Sequence, residues 1–377
     1  MSYRIKKLLI KDFKGIKHTQ LENLPARAKW IFLTGENGYG KTSVLQAIAA
    51  GLAGMEEHMF SLFRDTSNAP HIKIELTDSS QFDLRGLQSL PNSGDEYFRQ
   101  LACYGSSRLQ TYTESSKRNK GITSALFDST TNLENIELQL TRWLSKLDIA
   151  DFRNKHRHVK ELLINLLDLS DIEIDRATDT VFYIEQDTGG NKYPKQQLGD
   201  LASGYRNLIG FIGDLIIKLF DRQPSIHNPK ELEGIVIIDE LDLHLHPKWQ
   251  KKLPGLLSRL FPNIQFIAST HSPIPLLGAP KNSVIIRINR TVEEGITMER
   301  LKDEEKNLSN LLPNTILTSP AFGLLEIFPE SDNDQEVRTE DDYFELKAND
   351  YMRKKLRGQQ NSDLEADLLN YIKGSKK

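Results

Sequence analysis

The chain is poor in cysteine, with one thiol, Cys103, in 377 residues. A disulfide framework and a CxxC-type metal site both need at least two cysteines, so both are excluded. Long apolar runs are also missing. No stretch approaches 18 uninterrupted apolar residues, and the opening MSYRIKKLLIKDFKGIK lacks the apolar core of a signal peptide. No membrane partner is therefore expected, and a cytoplasmic location is. Charge of one sign is absent as well, because 49 basic residues against 52 acidic leave a formal net charge of -3. That excludes a strongly basic coat protein and a polyacidic disordered chain, while leaving local patches open. No internal repeat is present. A chain this long reads as roughly two domains, or as one domain with a large insertion.

What is present is strand–loop–helix punctuation at both ends. Trp30-Ile31-Phe32-Leu33-Thr34 is a compact run of large apolar and β-branched residues that stops at Gly35, and it reads as a buried strand. After Lys41, Val44, Leu45, Ile48 and Leu52 recur at helical spacing. Residues 71–87 and 283–300 read as hairpins, and Leu101–Tyr104 as a short strand. Residues 106–132 are rich in Ser, Thr, Lys and Asn and read as a loop. From Leu133 to Leu169 the apolar period is helical, and Val181–Ile184 and Lys192-Tyr193 flank a turn at 188–191 as a further hairpin. Gly234-Ile235-Val236-Ile237-Ile238-Asp239 and residues 264–270 are wholly apolar strands, of the kind that sit centrally in a parallel sheet. The expected division is 1–105 and 198–320 as halves of one core, 106–197 as a helical insertion, and 321–377 as a charged tail.

The chemistry begins at Gly35-Glu36-Asn37-Gly38-Tyr39-Gly40-Lys41-Thr42, which fits G-x-x-x-x-G-K-[ST]. Glycines let successive backbone N–H groups turn toward a polyanion, and the helix that follows points its positive end at the same place. Lys41 would neutralise phosphate charge and Thr42 would offer a hydroxyl to Mg²⁺. Asp239-Glu240 ends the most apolar strand, where an Asp can serve a metal shell and a Glu an attacking water; a solvated acidic pair is the alternative. Leu241 to Pro247 (LDLHLHP) carries histidines at i, i+2, which suit substrate orientation or an interface better than zinc, since no third ligand lies nearby. Ser269-Thr270-His271-Ser272-Pro273 places a histidine one strand further on. Ser203-Gly204 opens a long helix, with Ser203 either capping it or presenting its N-terminus to an anion.

In this order the motifs resemble those of ATP-binding-cassette (ABC-type) P-loop ATPases of the RecF/SMC/Rad50 kind, over residues 1–105 and 198–320. GENGYGKT resembles the Walker A loop, LASGYRN the signature, GIVIIDE Walker B, LDLHLHP the D-loop and STHSP the switch histidine. The resemblance implies an α/β fold with a mixed central sheet, an antiparallel β subdomain and a short helical insertion. It implies ATP and Mg²⁺ as cofactors, with Asn37, Gly38, Gly40, Lys41, Thr42 and Ser43 on the nucleotide, Thr42 and Asp239 on Mg²⁺, Glu240 as general base and His271 sensing the γ-phosphate. Ser203 and Gly204 would contact ATP held by a second protomer, so a homodimer or higher homo-oligomer with shared sites is implied. The signature has Ser-Gly-Tyr-Arg where Ser-Gly-Gly-Gln is usual. For the glutamine loop, Arg108 or Gln110 stands in the expected place.

About 90 inserted residues are too few for an SMC-type coiled coil, since even a continuous 37-residue helix spans about 55 Å. An additional nuclease domain of the Toprim type is not expected either. The remaining features resemble ATPase subunits of bacterial anti-phage systems, Septu (PtuA-like) ATPases above all and the PARIS ATPase as a near neighbour. This implies a separate nuclease partner, of HNH type if Septu-like. Arg153, Lys155, Arg157 and Lys160 form the densest basic stretch, either a contact for DNA or a solvated helix face. A RecF-like DNA-repair ATPase and an ATP-locked scaffold with little turnover are the competing readings.

Overall fold

The computed structural model describes residues 3–54, 56, 59, 69–86, 97–106, 122–128, 132–243, 245–308 and 313–322. All of them lie in one compact unit, residues 1–325.

Among the described residues, twelve strands carry the fold: β1 (Ile5–Phe13), β2 (Ile16–Leu21), β3 (Trp30–Thr34), β4 (His71–Leu76), β5 (Gln81–Arg85), β6 (Leu101–Tyr104), β7 (Leu169–Asp175), β8 (Thr180–Glu185), β9 (Glu233–Ile238), β10 (Asn263–Ser269), β11 (Val284–Thr291) and β12 (Gly295–Arg300). Ten of them form one mixed sheet in the order β5-β4-β1-β2-β12-β11-β3-β10-β9-β6. The half from β11 to β6 is parallel and the half from β5 to β12 is antiparallel.

The parallel strands are buried on both faces, which is why they read as unbroken apolar runs. Side chains alternate across the sheet. Trp30 and Phe32 of β3, with Val236 and Ile238 of β9, pack toward the helices Ser203–Arg222 and Pro247–Leu260. Ile31 and Leu33, with Ile235 and Ile237, face the helix Lys41–Ala53. Trp30 stacks between Phe32 and Phe266, with ring centroids 5.1 and 4.7 Å away, and its indole N–H donates to Ser258 Oγ at 2.8 Å.

The helix Lys41–Ala53 lies between the parallel core and the antiparallel wing and is buried at almost every position. Small residues permit this close approach. A Cβ on Gly51 would sit 2.6 Å from Ile72 Cγ2 and 2.9 Å from Ile74 Cδ1.

Residues 133–169 form two helices, Ile136–Leu144 and Ala150–Leu167, with Asn135 capping the first through bonds from the Glu137 and Leu138 amides. Their apolar stripe does not stand free in solvent. Leu140, Trp143, Leu163 and Leu166 join the core of the helix Ser203–Arg222, and Trp143 meets Phe220 edge-on at 6.0 Å. A stripe that wide must be buried somewhere, and the neighbouring helix is the nearest apolar surface.

The expected hairpin around 188–191 is present only as isolated bridges, Tyr183↔Gln196 and Gln186↔Lys192. The main partner of β8 is the preceding strand β7, at a stretch expected to end a helix. Asp168 makes that change of direction by taking a left-handed conformation (φ 56°) where glycine would be usual. Among the described residues, no helix is long and apolar enough to cross a membrane.

Candidate functional site

The site is built at the carboxyl edge of β3, β9 and β10. The loop from Gly35 to Gly40 leaves β3 and turns through three glycines at φ 130°, 79° and 97°. Side chains are excluded at two of them: a Cβ on Gly35 would lie 2.5 Å from the Ile288 carbonyl oxygen, and one on Gly40 would collide with the Ile296 side chain. The helix Lys41–Ala53 then begins with no side-chain cap and no acid in its first turn. Its first N–H groups and its dipole are directed to the loop interior, which is the arrangement that binds anions.

Lys41 is 5% exposed and reaches back across this loop, donating to the carbonyls of Gly35 (2.6 Å) and Glu36 (2.9 Å). Burial lowers its pKa from 10.5 to about 8, against the opposing pull of Asp239, Asp242, Glu240 and Glu36. Arg290 of β11 donates to the Gly38 carbonyl at 3.2 Å and braces the loop from outside. Asn37 and Thr42 are exposed in the mouth, and Ser43 is half-buried.

A chain of short hydrogen bonds joins three strand ends. Thr42 Oγ1 donates to Asp239 Oδ2 at 2.8 Å, and Ser269 Oγ donates to Asp239 Oδ1 at 2.5 Å. The same Ser269 oxygen accepts the Glu240 amide at 2.7 Å. Glu240 sits in the left-handed region, φ 51°, a conformation costly for a residue with a side chain and held here by that amide bond. Lys41, Thr42, Asp239 and Glu240 thus meet in one cluster. A hydroxyl beside a carboxylate is an all-oxygen donor set suited to a hard cation such as Mg²⁺. Thr42 and Asp239 therefore fit the metal implied for the site.

The switch loop is tied to the segment after Glu240. Thr270 Oγ1 donates to Asp242 Oδ1 at 2.7 Å, and the His271 amide donates to the same oxygen at 3.2 Å. Gln250 bridges the two loops: its amide nitrogen donates to the carbonyls of Asp242 (3.1 Å) and Leu245 (3.0 Å), while its oxygen accepts Ser272 Oγ at 3.0 Å. His271 is exposed overall, but partial desolvation of its ring and then the nearby Lys41 ammonium lower its pKa from the ordinary 6.5. The shift favours the neutral imidazole.

Ser203 does not cap its helix. Ala202 holds the N-cap position with no side-chain bond, and Ser203 is the first helical residue, exposed. The uncapped N-terminus of a 20-residue helix is thereby left facing outward. Gly204 lies against Trp249, and Tyr205 meets the Trp249 ring edge-on at 5.7 Å, so the signature is seated on the helix that follows the D-loop. Arg206 donates to the Gly199 carbonyl at 3.2 Å. Deeper in the same helix, fully buried Asp214 accepts Tyr104 Oη (2.7 Å), the Glu134 amide (2.7 Å) and Lys218 Nζ (2.8 Å), tying the signature helix to β6.

Ser203 and Gly204 stand on a different helix from Lys41 and Thr42. Arg108, Gln110 and His244 fall outside the described residues. His246 caps the helix Pro247–Leu260, its Nδ1 accepting the Lys248 amide at 3.3 Å. Of the basic stretch, Lys155 turns inward over the Phe220 ring at 4.9 Å, and Lys160 pairs with Asp171 at 2.9 Å. Arg153 and Arg157 remain exposed. Ser269, Asp242 and Gln250 were not singled out by sequence reasoning, although all three stand inside or beside the motifs quoted above.

A family model described as "AAA domain, putative AbiEii toxin, Type IV TA system" matches residues 110–275. The chain is similar to the Septu protein PtuA of Bacillus mycoides (strain KBAB4), 30% identical over 342 residues, covering 86% of this chain and 46% of that protein. It is also similar to the Septu protein PtuA of Bacillus thuringiensis, 27% identical over 310 residues, with 74% of this chain and 75% of that protein covered. The chain thus spans about half the length of the first of these relatives. Among solved structures, the SMC head domain from Thermotoga maritima aligns over 79% of this chain and 99% of that one, at 14% identity and a TM-score of 0.43.

Proposed function

We propose that this chain is an ABC-type P-loop ATPase, that it hydrolyses ATP at sites shared between two copies, and that it uses the nucleotide state to control a separate nuclease. The observation that carries the hydrolytic part is the bonded series Thr42–Asp239–Ser269–Glu240. It holds a candidate metal-binding pair and a candidate general base rigidly beside an anion-binding loop.

The N–H groups of residues 38–43 and the Lys41 ammonium would bind and orient the phosphates. Mg²⁺, held by Thr42 and Asp239, would supply charge neutralisation on the phosphate oxygens. Glu240 would take the proton of the attacking water, and neutral His271 would donate its ring N–H to a terminal phosphate oxygen. Hydrogen bonds through Asp242 and Gln250 keep that ring in step with the D-loop. The exposed, uncapped start of the helix Ser203–Arg222 supports the reading that a second copy supplies N–H donors to the far side of the phosphates through Ser203 and Gly204.

Similarity to Septu PtuA supports a role in anti-phage defence; the proposed partner is a separate nuclease, of HNH type if the chain is Septu-like. The test is Glu240→Gln. The variant should bind ATP, lose turnover by at least a hundredfold, and fail to regulate the co-expressed nuclease or protect cells from phage. Undiminished turnover would overturn the assigned base. Turnover stimulated by DNA with no nuclease partner would move the chain to the RecF-like reading. Co-purified intact ATP with negligible turnover would move it to the scaffold reading.

A further inference from the structure

We propose that the edge of the sheet opposite the phosphate loop carries a second anion site, a cleft that binds a compact phosphate-bearing polyanion. The cleft encloses about 600 Å³, within the range of small-ligand sites. Five cations line it: Arg4, Arg27, Lys29, Arg259 and Lys281. They come from four separate segments of the chain: the start of β1, the approach to β3, the end of the helix Pro247–Leu260 and the loop into β11. None of the described residues lining it is acidic.

Convergence of Arg27, Lys29, Arg259 and Lys281 from separate segments is unfavourable unless something offsets it, and an exposed surface normally intersperses both signs. The two best-buried side chains set the character of the floor. Arg4 is only 6% exposed. Ser258 is also buried, but its hydroxyl is already used, accepting from Trp30 Nε1 and donating to the Pro254 carbonyl at 2.9 Å. Recognition therefore rests on the cations. Arg27, Lys29, Arg259 and Lys281 make no ion pair among the described residues.

None of the described residues lining the walls is aromatic, so among them a nucleobase would find nothing to stack on. Arginine forks and lysine ammonium groups match phosphate oxygens in both charge and donor geometry. A ligand with several phosphates in a small volume fits this set. The cleft and the phosphate loop sit at the two ends of β3, about 17 Å apart for five residues of strand. One molecule the size of a nucleotide would not fill both.

The experiment uses the full chain carrying Lys41→Ala, so that the phosphate loop is disabled, and titrates it calorimetrically with inorganic tripolyphosphate at 50 and 200 mM salt. About one molecule should bind per chain, more weakly at the higher salt. Adding Arg27→Glu and Lys281→Glu should weaken binding at least tenfold. The same pair in the wild-type chain should leave the unfolding temperature and ATP turnover unchanged. A short single-stranded oligonucleotide and a 20-base-pair duplex form the remaining arms. Competition of either with tripolyphosphate identifies a nucleic-acid backbone as the source of the phosphates, and its absence identifies a free polyphosphate. The proposal is overturned if tripolyphosphate does not bind the Lys41→Ala chain. It is equally overturned if the double charge reversal leaves binding intact, or if a poly-glutamate of equal charge binds as well.

Discussion

Ser269→Ala tests the core of the site most economically, because one fully buried hydroxyl holds both acidic residues. Two bonds are lost. The first is the donation to Asp239 Oδ1, a hydrogen bond to a charged group, for which about 1.5–3 kcal/mol is typical. The second is acceptance of the Glu240 amide, the bond that fixes a residue held at φ 51°. Glu240 is half-buried, so water can replace part of that bond, and about 1 kcal/mol is a fair figure for it. The sum is roughly 2.5–4 kcal/mol against the folded site. In a unit this large, each kcal/mol lowers the melting temperature by about 2 °C, so a fall of roughly 5–8 °C is expected by calorimetry. Catalysis should suffer more than binding. Phosphate contacts made by the loop and Lys41 are untouched, whereas Glu240 loses the bond that aims it, so kcat should fall at least tenfold with KM changed less than threefold. A variant that melts with the wild type and turns over ATP within twofold of it would refute the reasoning.

Three further outcomes follow from the same geometry. Lys41 has its pKa lowered to about 8, so in the free chain it loses its proton between pH 7 and 9, and phosphates bind the charged form. Nucleotide affinity should therefore fall about tenfold over that range, with proton uptake on binding above pH 8, measured by titration calorimetry in buffers of different ionisation enthalpy; a flat profile contradicts it. Gly40→Ala forces a side chain onto φ 97° and into Ile296, and should abolish nucleotide binding while costing about 1–3 kcal/mol of stability in a denaturant titration. Gln250→Leu keeps the side-chain volume but cuts the bridge between the D-loop and the switch loop, so steady-state kinetics should show kcat reduced at least fivefold and KM little changed.

How much of this was legible in the sequence depends on the kind of signal each residue leaves. The phosphate loop was legible because positive φ demands glycine and the loop needs it at fixed spacings. β3, β9 and β10 were legible because strands covered on both faces are apolar throughout. β7 was missed. Its charged alternation, Leu169-Ser-Asp-Ile-Glu-Ile-Asp, follows a helix whose stop is an aspartate in the left-handed region rather than a glycine. Ser203 looked like a cap because serine often is one, yet chain geometry gave that position to Ala202. The basic stretch 153–160 looked solvent-facing, but two of its four cations are taken up by Phe220 and Asp171. Ser269 and Gln250 were invisible as functional groups, because Ser269 acts on residues 30 and 29 positions away and Gln250 acts by joining two loops that only the fold brings together.

The shared-site claim is tested most directly by mixing two inactive chains, Lys41→Ala and Ser203→Glu. The first lacks its own phosphate loop lysine. The second places a negative charge at a helix N-terminus, which suits the helix but repels phosphate from a partner. Each alone should turn over almost no ATP. Mixed one to one, heterodimers hold one site with an intact loop from the Ser203→Glu chain and an intact signature from the Lys41→Ala chain. Turnover should then recover to roughly a quarter of wild type, since random pairing makes about half the dimers mixed with one good site each. Full activity of Ser203→Glu alone, or no recovery on mixing, would contradict the account.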